Sequence, residues 1–280
     1  SLACARAARF FGAELRTEAA VEKIIVREGK ASAVVVRGGH EIKCNTVISA
    51  ADAHQTFFKL VGEKHLDADF VQQLKRFKYR GSSAKVNLAV DRLPDFSSKP
   101  GEGPHLRGDI TIAPGVEYLE KAYDDAKYGD FSARPFLDIV IPSLTDPTVA
   151  PPGKHVISIF VQYAPYHLKE GAAQWPAKRE ALGDTVVDTL AEYCPNLKDS
   201  ILHRQVVTPW DLEQEVGLTE GNIFQGELSL EQLGPFRPVS GWSRYQTPID
   251  QLWMCGSCVH PGGGIMGAPG ELAAKSLLKS

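Results

Sequence analysis

The most constraining stretch of this chain is its last, LWMCGSCVHPGGGIMGAPGELAAKSLLKS. An apolar strand pattern runs into glycines that fit G-x-G-x-x-G (Gly262, Gly264, Gly267). A helix pattern follows, with Pro269 in its first turn, where a missing N–H costs little. Strand, glycines and helix N-terminus together make an anion cradle: glycine lets the backbone approach, and the first N–H groups and the helix dipole point at the bound group. A dinucleotide-binding fingerprint needs more, namely a second strand and an acidic residue about 20 positions further on. The chain reaches Ser280 before either could occur. The run is therefore expected to close a nucleotide-binding sheet rather than open one, with the sheet's first βαβ unit and its own glycine loop lying outside this sequence. A packing turn with no ligand is the competing account of such a cluster.

The same stretch holds a C-x-x-C, Cys255 and Cys258. In thiol oxidoreductases that motif sits at a helix N-terminus, which lowers the thiol pKa. Here the helix begins only after the glycines, so Cys255 falls at the end of the strand. A zinc site would want a second ligand pair, whereas Cys4, Cys44 and Cys194 stand singly. A c-type haem needs His directly after the second Cys, and Val259 stands there. Small buried residues beside the loop are the expectation, with no metal site. Five sparse cysteines do not make a secreted disulfide framework and point to a reducing, intracellular compartment.

A net charge of −3 gives no reason to expect nucleic acid or an anionic membrane as partner. Apolar runs such as SAVVV and DIVIP are far too short to span a bilayer. A length of 280 residues allows one large or two ordinary domains. The chain opens at Ser1 in a helix pattern, LACARAARFFGAEL, ended by Gly12, and no signal or transit peptide is visible.

Along the chain, AAVEKIIVREGKASAVVVRGGHEIKCNTVISA reads as a meander of three short strands with turns at REGK and RGGH and with CNTVISA as its last segment. CNTVISA is a fully apolar strand, which implies burial on both faces as in a parallel sheet, and ADAHQTFFKLV begins a helix. Beyond residue 62, SSAKVNLAVDRL, LRGDITIAP, FLDIVIPS and HVISIFVQYAP have strand length and alternation. Helix patterns GVEYLEKAYDDAKYG and WPAKREALGDTVVDTLAEYC interleave with them. Together they predict an antiparallel sheet with helices on one face. The expected class is α/β with an α+β second domain: a partial Rossmann-like domain (meander, last strand, closing helix) at 1–62 and 236–280, and an antiparallel-sheet domain at 63–235.

These segments carry a resemblance. RTEAAVEKIIVREGKASAVVVRGGHEIKCNTVISAADAHQTFFKLV resembles the middle of flavoproteins of the phytoene-desaturase and amine-oxidase superfamily, and RPVSGWSRYQTPIDQLWMCGSCVHPGGGIMGAPGELAA resembles their C-terminal flavin motif. TPWDLEQEVGLTEGNIFQGELSLEQL is similar to the preceding segment in the carotenoid-desaturase-like branch. The resemblance implies a discontinuous domain holding FAD in an extended pose and a substrate domain lying over the flavin. It implies that Val21 touches the adenine end, that Ala50 and Ala51 line the pyrophosphate, and that Gly256 and Ser257 sit near the ribityl chain and phosphates. Gly263, Gly264, Ile265 and Met266 would approach the flavin, with the closing helix directed at the N1/O2 edge, where reduced flavin carries negative charge. The superfamily's N-terminal G-x-G-x-x-G and ribose-binding acid are absent from this sequence, so the FAD site is expected to be incomplete in it and the chain by itself inactive.

The activity so implied is hydride transfer from a C–C or C–N bond of a largely apolar small molecule to flavin. No catalytic residue is named, because a hydride-yielding substrate needs no protein acid or base. A regulatory or interaction protein of mitochondria that keeps the fold without catalysis is the alternative, with a protein partner or oligomer in place of a substrate. The mitochondrial matrix follows from the resemblance alone. His260 could act as acid or base, or serve only as part of an HP turn. Lys85, a charge within an apolar strand pattern, reads best as solvent-facing, and Tyr163 and Tyr166 could be cavity aromatics.

Overall fold

The computed structural model describes residues 2–280. Contacts divide the chain into two compact units, one running to Phe77 and resuming over Leu228–Ser280, the other Lys78–Glu227. Composition alone points to divisions at 62/63 and 235/236.

The first unit opens with helix α1 (Leu2–Phe10), followed by Gly12 at φ 91° and with no buried residue. Strands β1 (Val21–Arg27), β2 (Lys30–Val36) and β3 (His40–Lys43) form the antiparallel meander. Its first turn places Glu28 and Gly29 at φ 51° and 76°, the paired left-handed geometry that matches strand twist. Period-2 alternation puts Ile24, Ala31 and Ala33 in the core. Strand β4 (Val47–Ser49) then pairs in parallel with the late strand β10 (Leu252–Met254), in the register Val47 to Leu252, Ile48 to Trp253 and Ser49 to Met254.

CNTVISA is not the last strand of the meander, whose third strand is His40–Lys43; it pairs in parallel as expected, in a separate sheet, but its burial is not double-sided. Ile48 is 46% exposed between buried Val47 and Ser49, so β4 alternates instead of being covered on both faces. Fully buried β10 supplies the closed side of the pair. After β4 comes a π-helical segment, Gln55–Val61, whose Phe57 meets Phe70 of α2 (Ala68–Arg76) edge to face at 4.9 Å. Asp67 caps α2 by accepting from the N–H groups of Asp69 and Phe70. Phe57, Phe70, Leu74, Ile24 and Trp253 share one apolar cluster, which draws residues 63–77 into this unit.

The second unit is built on strands β5 (Ser83–Val90), β6 (Ile110–Ile112), β7 (Phe136–Val140), β8 (His155–Gln162) and β9 (Ile201–Val207), in the order β6-β7-β8-β5-β9. Every pairing is antiparallel. Helix α3 (Val116–Lys127) buries only Ala122, while α4 (Trp175–Ala191) sinks Trp175, Leu182, Val186 and Leu190 into the core. Gly183 is why α4 can lie so close to β9: a Cβ there would come 2.7 Å from Val206 Cγ2. Trp175 is fully buried, and its indole N–H donates to the Pro165 carbonyl at 3.1 Å. Lys85 is exposed between buried Ala84 and Val86, the solvent-facing position that alternation predicts.

The segment after β9 is pinned to its own unit by close backbone approaches. Thr208 and Asp211 form a capping box, and Arg179 pairs with the buried Asp211 carboxylate. The Tyr166 hydroxyl donates to Glu213; burial, reinforced by that carboxylate, pushes the phenol well above its ordinary pKa. Gly221, at φ 63°, lies against Pro209, and Gly81 lies against Glu220. No helix among the described residues is long and apolar enough to cross a membrane.

An added Cβ at Gly81 would sit 2.1 Å from the Glu220 carbonyl oxygen, and one at Gly221 would sit 2.2 Å from that of Pro209. Both obstacles are backbone and cannot rotate away. Chemical denaturation should show Gly81→Ala and Gly221→Ala destabilised by about 1–3 kcal/mol or more. Gly108→Ala, where nothing lies within 4 Å, should be within about 0.5 kcal/mol of wild type.

Candidate functional site

The site grows out of the ends of β4 and β10. Backbone N–H of Cys255, just past β10, donates to the Ser49 carbonyl at 2.8 Å and extends the parallel pairing to the crest where both strands finish. Beyond β4 the chain turns through Ala50, Ala51 and Asp52. Three contacts fix that turn: Ser49 Oγ lies 2.7 Å from Thr56 Oγ1, Thr56 Oγ1 donates to the Ala51 carbonyl at 3.3 Å, and the buried Asp52 carboxylate accepts the Gln55 N–H at 2.9 Å. Asp52 thus acts as the cap of the π-helical segment, and the segment in turn holds the crest.

Beside this crest lies an apolar cavity of about 460 Å³, lined by Val21 and Ile24 of β1, Val34, Cys44, Ile48, Ala50, Ala51 and Leu60 among others. Three residues that the sequence singled out, Val21, Ala50 and Ala51, therefore meet at one cavity although 29 or more positions separate Val21 from the other two. Short alanine side chains at the crest keep its mouth open. Exposed Ile48 is one wall of this cavity, which accounts for its departure from double-sided burial.

The C-terminal loop approaches the same crest. Cys258 is fully buried, and its thiol donates to the Ala51 carbonyl at 3.7 Å, which ties the loop to the crest on either side of Gly256 and Ser257, together with the Cys255–Ser49 hydrogen bond. Within the loop, Val259 N–H donates to Gly256 O at 3.4 Å and Gly262 N–H to Val259 O at 2.7 Å. Gly256, Gly262, Gly264 and Gly267 all have positive φ, so the turn chemistry that the glycine pattern implied is used. Gly263, Gly264, Ile265 and Met266 do not line the cavity. They form an outward tip on which Ile265 is fully exposed at φ 58° and Met266 is 59% exposed. The closing helix (Ala268–Leu277) starts at Gly267, which has no side chain to cap its first amides. Glu271 on its first turn pairs with Lys275, which holds the carboxyl below its ordinary range.

His260 is half-buried between buried Val259 and Pro261, with its Nδ1 buried and, among the described residues, without a hydrogen-bond partner. Burial, with Asp52 nearby, pushes the Cys258 thiol far above its ordinary pKa, and burial also raises Cys255. Both shifts are opposite to what a thiolate nucleophile requires. Among the described residues no group of three or more His, Cys, Asp or Glu is placed to hold a metal ion.

Reasoning from the sequence missed the residues that hold the site: Thr56, Asp52 and Arg237. Asp52 had a local signal, an acid three residues before the Gln55 amide it caps. Arg237 had none, since its hydrogen-bond partners Gln232 and Ser257 lie 5 and 20 positions away.

No protein-family model matches the chain. Over 279 residues it is 41% identical to the pyridine nucleotide-disulfide oxidoreductase domain-containing protein 2 of Rattus norvegicus, covering 97% of this chain and 48% of that protein. It is 28% identical to the lycopene-forming phytoene desaturase of Pseudescherichia vulneris, over 95% of this chain and 51% of the enzyme. The chain is similar in sequence to both of these proteins. It spans about half the length of the curated relatives it matches. In fold, a redesigned putrescine oxidase superposes with a TM-score of 0.56 at 16% identity, covering 99% of this chain and 52% of that one. The chain combines a parallel strand pair, a meander and a glycine loop with a separate antiparallel sheet.

The burial of the cysteines orders their reactivity. Cys4 is exposed, Cys44 and Cys255 are intermediate, and Cys194 and Cys258 are buried. Labelling with a neutral thiol reagent near pH 8, followed by mass spectrometry, should modify Cys4 first and Cys258 only on unfolding. Burial raises the Cys194 thiol to about 12. The native state therefore keeps a proton that the unfolded state loses, so the contribution of Cys194 to stability is full below pH 9 and falls between pH 9 and about 12. Cys194→Ala should flatten that part of the stability profile.

Proposed function

We propose that this chain contributes the closing half of the FAD site, and the substrate-facing sheet, of an FAD-dependent oxidoreductase that takes hydride from a C–C or C–N bond of a largely apolar small molecule. The observation that carries the reading is the convergence of Val21, Ala50 and Ala51 on one cavity beside the loop that leads from β10 into the closing helix. The residues present fit such a group in part. An apolar cavity between β1 and the crest suits the adenine end, with Val21 at its rim. Ala50 and Ala51 give backbone access for the pyrophosphate, and Gly256 and Ser257, in the loop that Cys258 ties to Ala51, are assigned to the ribityl chain and phosphates. Gly263, Gly264, Ile265 and Met266 are assigned to the flavin end, where the exposed tip offers apolar surface and backbone N–H groups.

When bound, FAD supplies the hydride acceptor. The protein's own part is to orient it, to exclude water with apolar walls, and to set the field of the closing helix N-terminus near developing negative charge. Neither cysteine of the C-x-x-C enters this scheme, since both thiols stay protonated. We assign the unit Lys78–Glu227 to substrate binding, by the likeness to the desaturases, and place the protein in the mitochondrial matrix on the resemblance alone.

The test is FAD titration into the chain and into full-length protein, followed by quenching of flavin fluorescence and by the visible flavin spectrum. Saturable quenching with competition by ADP is expected of full-length protein, and at most weak quenching of the chain alone, whose site is incomplete. Ala51→Leu, which fills the crest, should weaken binding by about 10-fold, roughly 1.4 kcal/mol, with little change in Tm. Full-length protein should bleach anaerobically with an apolar hydrocarbon or amine substrate. No saturable binding by the chain, together with full-length protein that stays colourless in excess FAD, would sink the reading in favour of an interaction protein that keeps the fold without flavin.

A further inference from the structure

A buried charge stands out against the apolar first unit. Arg237 has no solvent-exposed surface. Arginine is almost never fully buried unless its donors are used, because desolvating the guanidinium is costly. Here its Nε–H donates to the Ser257 carbonyl at 2.9 Å, and Nη1 donates to the Gln232 carbonyl at 3.2 Å. The guanidinium carbon lies 5.6 Å from the centroid of the Phe77 ring, within cation–π range. At Gly262 a Cβ would come 3.9 Å from Arg237 Nε. One rigid fork therefore holds the C-terminal loop at the Ser257 carbonyl, leaves Gly262 room for no more than an ordinary contact beside it, and ties the loop to the turn at Leu230–Gln232.

We propose that Arg237 is the positioning residue of the glycine loop, a buried strut that fixes the orientation of the Ser257–Cys258 peptide and thereby the backbone path from Cys255 to Gly262. The peptide is planar, so anchoring its carbonyl on one side fixes its N–H on the other. Neither end of the loop can then rotate to satisfy itself. The loop backbone at Ser257 is thereby preformed next to Cys258, whose thiol meets the crest at Ala51, and a ligand there need not order it. The functional consequence rests on the assignment of Gly256 and Ser257 to the FAD site; the structural claim does not. Lysine cannot replace arginine in this role, because a single ammonium on a flexible stem does not reproduce two donors at a fixed angle.

Hydrogen exchange by mass spectrometry on the whole chain, as wild type, Arg237→Gln and Arg237→Lys, decides the structural claim. Amides of 256–262 in Arg237→Gln should exchange at least roughly 10-fold faster, while those of the β1–β2 ladder keep wild-type protection. Arg237→Lys should fall between the two, having one donor group for two carbonyls. Wild-type exchange of the loop in Arg237→Gln overturns the proposal, and so does a Lys variant equal to wild type, which would make charge alone sufficient. Loop and ladder losing protection together would also overturn it, since Arg237 would then be an ordinary core residue. If Arg237→Gln does not fold, the Lys variant carries the same comparison. FAD affinity is measured in parallel in full-length protein and should fall with loop protection across the three proteins. Absence of FAD binding by the full-length wild type would remove the cofactor reading while leaving the exchange result to decide Arg237.

Discussion

Everything in the first unit hangs on a three-residue parallel pairing. Strands β4 and β10 join positions about 200 residues apart, and side chains repeat the link where the Thr46 hydroxyl donates to Gln251 Oε1 at 2.7 Å across 205 positions. Such contacts close a long loop, and the entropy of that closure must be offset by what the pairing buries. Leu252, Trp253 and Met254 are all buried against the meander and the π-helical segment, so the offset is apolar. Without this pairing the crest, the cavity mouth and the C-terminal loop would have no common frame. Its two strand ends are the reason that Ala51 and Cys258, 207 positions apart, come within 3.7 Å.

Most of the secondary structure was legible because it is written in local periodicity. The meander turned on Glu28–Gly29 and Gly38–Gly39, the sheet strands alternated, and α4 showed an apolar stripe ending in Trp175 and Leu190. What escaped was what depends on the partner. CNTVISA read as doubly buried, yet Ile48 borders an open cavity, because an apolar run records where apolar surface can go and not which face is covered. The site showed the same division. Glycines at positive φ announce themselves, whereas Arg237 is distinguished only by carbonyls brought to it from elsewhere.

The loop itself illustrates how a short motif can mislead. Read alone, C-x-x-C and G-x-G-x-x-G propose rival chemistries for CGSCVHPGGGIMG. Position in the fold separates them. Cys255 just past a strand end, and Cys258 buried against a carbonyl and near a carboxylate, become inert small hydrophobes. Gly264 and Gly267, a few residues later, stay at the surface with positive φ and an uncapped helix behind them, and such a stretch of backbone remains available to a ligand. Its apolar tip, Ile265 and Met266, exposes surface that a monomeric domain ordinarily hides.

The contiguity of Lys78–Glu227 has a consequence for biosynthesis. Its sheet, its long helix and the clamped segment after β9 are all complete once Glu227 has emerged, so this unit can fold on the ribosome. The first unit is finished later, because β4 lacks its β10 partner until Leu252–Met254 are made. The nascent chain thus passes through a stage with one finished unit and a sticky, unpaired flank carrying Val21, Ile48 and Phe57. Translation speed and chaperone access across the final fifty or so residues should therefore weigh more on the yield of native protein than anything that happens while the central unit is being synthesised.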